Sequence, residues 1–434
     1  MHLFLVFILN IQACIMPNFE SLPSTVPNFA LHSKAYAIKG LVIYYRHSGM
    51  NGTRVERMSA MARPSSVFLI MAVHVAILIS TSCGSISSEH SRKHVAFFIF
   101  GDSFLDAGNN NYINTTTLDQ ANFWPYGETY FRFPTGRFSD GRLISDFIAE
   151  HAKLPLIPPF LQPAGNPHYF NGVNFASAGA GALAETFQGA VIDLKTQLSY
   201  YKQVMTWLRS KLGNVGAKMM LSRAVYLFSI GTNDYMSLFL TNSTVLDTFS
   251  KSEYVGIVIG NLTTIIKDIY SRGGRKFGFI NLPPVGCLPG IRTINPDNNG
   301  NCLEEASSLA KLHNQALSKL LQKLEKHLKG FKYSIFNLNI SLRQRMNHPS
   351  KYGFKEGKGA CCGTGKFRGV FSCGGKRLGK EFQLCENPKE YVFWDSYHLT
   401  ERVHKQFADE MWGRANNTNS VVGPYNLRDL FQTL

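Results

Sequence analysis

Unbroken apolar runs recur along the chain from residue 95 onward, each closed by small or polar residues. They read VAFFIFG (95–101), AVYLFSIG (224–231), KFGFINL (276–282) and FKYSIFNL (331–338), with a shorter candidate at Asn171–Ala176. Runs of this length without polar alternation predict strands buried on both faces. Between them, apolar residues return every third or fourth position. That period predicts helices over 141–152, 193–213, 251–272, 303–329 and 400–412. Asp140 is the expected cap of the first, and Gly213 the expected stop of the second. Asn301, with Glu304 three residues on, is expected to open the long helix that starts at residue 303. Strands alternating with helices predict an α/β fold: a three-layer α/β/α sandwich with a mainly parallel central sheet. No Pro/Ser linker and no internal repeat interrupts residues 90–420, so one domain is expected there.

In such a sheet, ligands sit beyond the carboxyl ends of the strands, and two of the apolar runs end in polar clusters. GDSFLDAGNNNY (101–112) follows the first, bringing Asp102, Ser103, Asp106, Asn109, Asn110 and Asn111. Thr232, Asn233 and Asp234 follow the second. Such residues are ordinary in turns and caps, and equally Ser103 is placed as a nucleophile would be. Serine chemistry needs a base and a carboxylate to orient it. FWDSYHLTE (393–401) supplies both, since Asp395 and His398, three apart, can meet within one turn. The G-x-S-x-G elbow of α/β-hydrolases is absent from the sequence, which argues against that fold.

GDSFLDAGNNNY, NFASAGAG (174–181), IGTNDY (230–235) and DSYH (395–398) resemble, in order, the four signature blocks of the GDSL-motif esterase/lipases of the SGNH hydrolase superfamily. FPTGRFSDGR (133–142), NLPPVGCLP (281–289), ACCGTG (360–365) and CENPKEYVFWD (385–395) are similar to its plant secreted branch. The resemblance spans residues 94–415 and implies a flavodoxin-like hydrolase fold. It also implies Ser103 as nucleophile, His398 as general base and Asp395 as its partner. The implied oxyanion donors are the backbone N–H groups of Ser103 and Gly179 and the side-chain amide of Asn233. Asp102 and the Asn cluster then organise the turn. Two departures stand out: Phe104 where Leu is common, and Leu399 where Pro is common, a change expected to loosen the turn after the base. Gly181 and Gly231 read as turn residues, and His151, His313 and His404 as core or surface residues. No phosphate loop or dinucleotide fingerprint stands out, so no cofactor and no metal are expected.

Residues 61–85 (MARPSSVFLIMAVHVAILISTSCGS) have the layout of a secretory signal peptide beginning at Met61. Residues 1–60 are expected to be an over-extension ahead of that start. Six cysteines follow the leader, Cys287, Cys302, Cys361, Cys362, Cys373 and Cys385, a number suited to three disulfides. Cys287 and Cys302 flank one loop and are expected to pair; the pairing of the other four stays open. Sequons at Asn114, Asn242, Asn261, Asn339 and Asn416 fit a glycosylated surface and an extracellular or cell-wall location.

The net charge is +16, of which the first 84 residues hold six Lys/Arg against Glu20 and Glu56. Seven basic residues between Lys355 and Lys380 sit in a Gly- and Cys-rich stretch, read as a solvated loop or a weak contact for acidic wall polymers. A nucleic-acid surface would want such charges on a helix or interleaved with stacking aromatics, and the secretory leader argues against one, so no nucleic-acid partner is expected. The expected activity is hydrolysis of acyl esters, lipid, phenolic or acetylated polysaccharide, through an acyl-enzyme on Ser103. Acyl transfer from the same serine, and a binding or defence role with incidental activity, are the alternatives.

Overall fold

The apolar runs become strands because both of their faces are covered. β1 (Phe97–Gly101), β2 (Gly172–Asn174), β3 (Val225–Ser229), β4 (Lys276–Ile280), β5 (Lys332–Phe336) and β6 (Val422–Pro424) form one sheet in the order β6-β5-β4-β3-β1-β2. This computed structural model describes residues 95–432 apart from 166–167, 296–299, 376, 378, 380 and 414–420. The expected leader, the residues before it and the Asn416 sequon lie outside that range. β1 to β5 run parallel, with Phe97 opposite Val225 and Phe98 opposite Tyr226, while β6 runs antiparallel along β5. Stacked rings cross the strands, Phe100 on Phe228 at 4.9 Å and Phe228 on Phe279 at 5.5 Å. Full burial of each such side chain contributes about 1.5–3 kcal/mol.

Three local expectations are corrected. The helix starting at Leu194 runs to Arg223, and Gly213 makes a kink (φ 69°, ψ 171°) where a stop was expected. Ala217 and Leu221, past the kink, are buried, so packing restores the helix after the glycine interrupts it. Asp140 does not cap the helix Ile144–His151; Leu143 stands there, its N–H donated to Asp146. Asp140 instead accepts the N–H of Glu401 at the start of the helix Glu401–Met411, a partner 261 residues away. Leu303, not Asn301, stands at the N-cap of the helix Glu304–His327, and no side chain caps it.

Cys287 pairs with Cys302 as expected, and the open pairings resolve as Cys361–Cys385 and Cys362–Cys373. The adjacent cysteines give their N–H groups to the carbonyls of Phe393 and Trp394. They therefore brace the segment that leads into Asp395.

The order of the sheet places the site. β2 lies on one side of β1 and β3 on the other, so the connections diverge at the β1/β3 boundary and open a crevice at its carboxyl end. Ser103 lies two residues beyond β1 and Asn233 four beyond β3.

Candidate active site

The turn after β1 is fixed before any catalytic group is considered. A Cβ at Gly101 would lie 2.4 Å from the Ser229 carbonyl oxygen, so only glycine lets β1 and β3 end this close together. The side chain of Gln197 binds both backbone groups of Gly101, accepting its N–H at 3.0 Å and donating to its carbonyl at 2.8 Å. The Asp102 carbonyl accepts the N–H groups of Leu105 and Asp106, and its carboxylate accepts that of Phe104. Ser103 thus sits in the first turn of a tight, internally bonded loop.

Asp106 extends the scaffold across the sheet. Its carboxylate accepts the N–H groups of Gly108 and Asn109 at 2.7 Å and of Ala178 at 3.0 Å. Asn109 donates to the carbonyls of Asn174 and Ala176, and Asn110 to those of Asp119 and Ala178. The Asn cluster therefore organises the turn, and it also clamps the neighbouring 174–179 loop beside Ser103. Gly179 has φ +80°, and a Cβ there would meet Asp119 at 2.6 Å and Val191 at 2.7 Å. Its backbone can line the crevice because it carries no side chain.

Asn233 lies in the first turn of the helix Thr232–Leu240, entered through Gly231 at φ +118°. One amide hydrogen of Asn233 is donated to the Ala180 carbonyl at 2.9 Å, which aims the second. The next residue, Asp234, accepts from the N–H groups of Ala182 and Leu183 and the hydroxyl of Thr186. Gly231 acts as a turn residue, as expected. Gly181 instead allows a close approach, since a Cβ there would meet Asp234 at 2.4 Å.

On the opposite wall, Asp395 and His398 meet within one turn. Asp395 Oδ1 accepts the N–H groups of Tyr397 and His398, both at 2.9 Å. His398 Nδ1 lies 2.7 Å from Asp395 Oδ1, and Nε2 lies 2.8 Å from Ser103 Oγ. An ionised carboxylate can only accept, so Nδ1 carries the ring proton and Nε2 accepts from the serine hydroxyl. Leu399 does not loosen this turn: it bridges antiparallel to Phe393, while the Trp394 N–H binds the His398 carbonyl. Leu399 is buried and lines the crevice.

The crevice is a cavity of about 550 Å³, within the usual span for a small-molecule site. Ser103, Gly179, Asn233 and His398 all line it, and Phe104, Phe138, Met236 and Phe371 supply apolar walls. All five residues singled out in the sequence, Asp395 included, therefore come together around one cavity. Among the described residues no group of three or more His, Cys, Asp or Glu is arranged to hold a metal ion.

His151, His313 and His404 hydrogen-bond outside the Ser103–His398–Asp395 row. His313 and His404 are buried, and burial pushes both down to about 3, so they stay neutral. His151 is bound to Asp409 at 2.9 Å.

Two residues near the triad escaped sequence reasoning. The Tyr126 hydroxyl donates to Asp395 Oδ2, and Arg377 donates to the same hydroxyl. Arg377 belongs to the basic stretch read as a solvated loop, but it is buried with its guanidinium 4.0 Å from the Phe371 ring. A run of lysines and arginines carries no sign of which member turns inward.

A parallel sheet with a hydrogen-bonded Ser–His–Asp row at its carboxyl edge describes a class, the three-layer α/β/α ester hydrolases. Comparison with known proteins narrows it. Residues 97–411 match the GDSL-like Lipase/Acylhydrolase family. The chain is 58% identical over 381 residues to "GDSL esterase/lipase 5" of Arabidopsis thaliana, covering 88% of this chain and 98% of that protein. It is 49% identical to "GDSL esterase/lipase 1" of the same plant, over 84% and 98% of the two chains. It is 48% identical to "GDSL lipase" of Tanacetum cinerariifolium, over 86% and 96%. The chain belongs to the GDSL lipase/acylhydrolase family and is a carboxylic ester hydrolase.

Proposed function

We propose that the protein is a secreted serine esterase/lipase that cleaves acyl esters through an acyl-enzyme on Ser103. The observation that carries this reading is the continuous row Ser103 Oγ–His398 Nε2–His398 Nδ1–Asp395, at 2.8 and 2.7 Å. In the first step Ser103 Oγ attacks the ester carbonyl carbon while His398 Nε2 takes the hydroxyl proton. The carbonyl oxygen, now an oxyanion, faces the N–H groups of Ser103 and Gly179 and the second amide hydrogen of Asn233. Collapse breaks the bond to the alcohol oxygen, which leaves with the proton returned by His398. Water then repeats the sequence on the acyl-serine, releasing the acid and restoring Ser103.

The apolar walls beside Ser103 suit an acyl or aryl group better than a sugar, which favours lipid or phenolic esters over acetylated polysaccharide. Three disulfides support an oxidising, extracellular location. The sequon residues Asn114, Asn242 and Asn261 are exposed and accessible to glycosylation, while Asn339 is half-buried. Exposed Lys355 and Lys358 belong to the basic stretch that would meet acidic wall polymers. The test is hydrolysis of p-nitrophenyl esters from acetate to palmitate beside the Ser103→Ala variant. Turnover in the parent that falls at least about 10³-fold in the variant supports the serine mechanism. A variant that keeps the parent's rate overturns it.

A further inference from the structure

Asp395 is completely buried, and its two oxygens are engaged differently. Both oxygens face His398 Nδ1, Oδ1 at 2.7 Å and Oδ2 at 2.9 Å; Oδ1 also accepts the turn's own N–H groups, whereas Oδ2 accepts from the Tyr126 hydroxyl, 269 residues away in the chain. Tyr126 is itself fully buried and touches the ring of Trp394 edge-on. Its oxygen in turn accepts from Arg377 Nη1.

The guanidinium of Arg377 is placed with unusual completeness. Nη1 also donates to the Cys373 carbonyl, Nη2 to the Gln120 carbonyl and Nε to the Thr117 carbonyl. The Phe371 ring lies 4.0 Å away, and the rings of Phe123 and Tyr126 each 4.9 Å. Among the described residues, no carboxylate makes an ion pair with Arg377. A buried cation is costly unless compensated, and here the nearest hydrogen-bonded route to an anion passes through one phenol to Asp395. Each hydrogen-bond acceptor on Arg377 is neutral, and its charge acts on the carboxylates of Asp395 and Asp119 without a direct ion pair to either.

We propose that Tyr126 and Arg377 are positioning residues of the ester-cleaving reaction: Arg377 polarises the Tyr126 hydroxyl, which fixes the Asp395 carboxylate against His398. The proposal rests on the Ser103–His398–Asp395 reading above. Donation converges on Asp395 from both sides, guanidinium to phenol to carboxylate on one and serine to imidazole to carboxylate on the other. Hydrogen bonds chained this way in a low-dielectric interior strengthen one another. The chain of bonds also ties the loop closed by Cys362–Cys373 to the reacting groups. Arg377 holds the Cys373 carbonyl, and Phe371, under the guanidinium, approaches the His398 ring at 6.5 Å.

The experiment compares Tyr126→Phe, Arg377→Met and the double variant in the full chain, with Ser103→Ala as control. Initial rates on a p-nitrophenyl ester are divided by the active-site concentration, titrated with a fluorophosphonate. Tyr126→Phe removes a single oxygen and is expected to lower kcat about 10- to 100-fold, the range set by a charge-assisted hydrogen bond, with KM within about twofold. Arg377→Met is expected to lower kcat by less, and the double variant to be no slower than Tyr126→Phe alone. That non-additivity is the mark of Arg377 acting through Tyr126. A purely structural role would lower the titratable fraction or raise KM and leave kcat per site at the parent value, which would overturn the proposal. Losses that simply multiply in the double variant would overturn the coupling. If Arg377→Met fails to fold, Tyr126→Phe alone decides by its kcat. If Ser103→Ala stays active, the serine reading itself has failed, a result separable from parent-like kcat in Tyr126→Phe.

Discussion

Asp106 and Asp395 are both buried to the last atom, one on the serine side of the crevice and one on the base side. Burial pushes Asp106 up to about 6, against the N–H groups of Gly108, Ala178, Asn109 and Asn110. Burial would push Asp395 up as well. The charge and hydrogen bond of His398, then Arg377 and Tyr126, outweigh it and hold the carboxylate well below its ordinary range. Asp106 is thus a hub whose work is geometric: it collects backbone donors and fixes the loop that carries Gly179. In the proposed mechanism Asp395 must stay an anion, because only an acceptor of full charge sets the histidine's proton and supports the imidazolium. One wall of the site is built from satisfied backbone groups and the other from opposed charges.

The sharpest way to break the contrast is Asp395→Asn, which keeps the shape and removes the charge. We expect a kcat/KM loss on the order of 10³–10⁴-fold with little loss of thermal stability, checked by ester kinetics beside melting curves. Asn233→Ala attacks the other wall and should cost on the order of 10²–10³ in kcat while KM holds, in single-ester kinetics. Asp106→Ala leaves the buried N–H groups of Gly108, Asn109 and Ala178 without the carboxylate they donate to. It should destabilise the fold by on the order of 3 kcal/mol in urea unfolding and slow turnover less than Asn233→Ala does.

The smallest effect concerns pH. His313 has a folded value near 3, below the ordinary 6.5, so the unfolded chain takes up a proton that the folded one refuses. Stability linked to His313 is complete above pH 6.5 and is lost as pH falls toward 3. Replacing it with Asn should flatten the fall of stability between pH 6 and 4 by up to about 1.4 kcal/mol per pH unit. Urea midpoints at three pH values would show it, and an unchanged slope would mean that His313 does not titrate differently on folding.

The central strands were legible because each is an unbroken apolar stretch with both faces covered. β6 was not: Val422–Pro424 is three residues long with a glycine and a proline, and joins the sheet only at its edge. The triad was legible because Asp395 and His398 are local to one turn and Ser103 ends a strand. Tyr126 and Arg377 were invisible for the opposite reason. Their contact spans 251 residues, and no local pattern distinguishes Arg377 from the other basic residues of the same stretch. Asp140 failed in the same way: it looked like a local cap and serves the helix Glu401–Met411, 261 residues on.

That separation has a consequence for how the protein comes into being. Ser103 and His398, the base proposed to activate it, stand 295 residues apart. At about 5–20 residues per second, the ribosome takes roughly 15–60 s to travel from one to the other. Throughout that interval the serine is an ordinary alcohol in a growing chain, whatever esters surround it. Chains truncated before His398 are expected to have no attenuated form of the activity, because the proposed base is then missing.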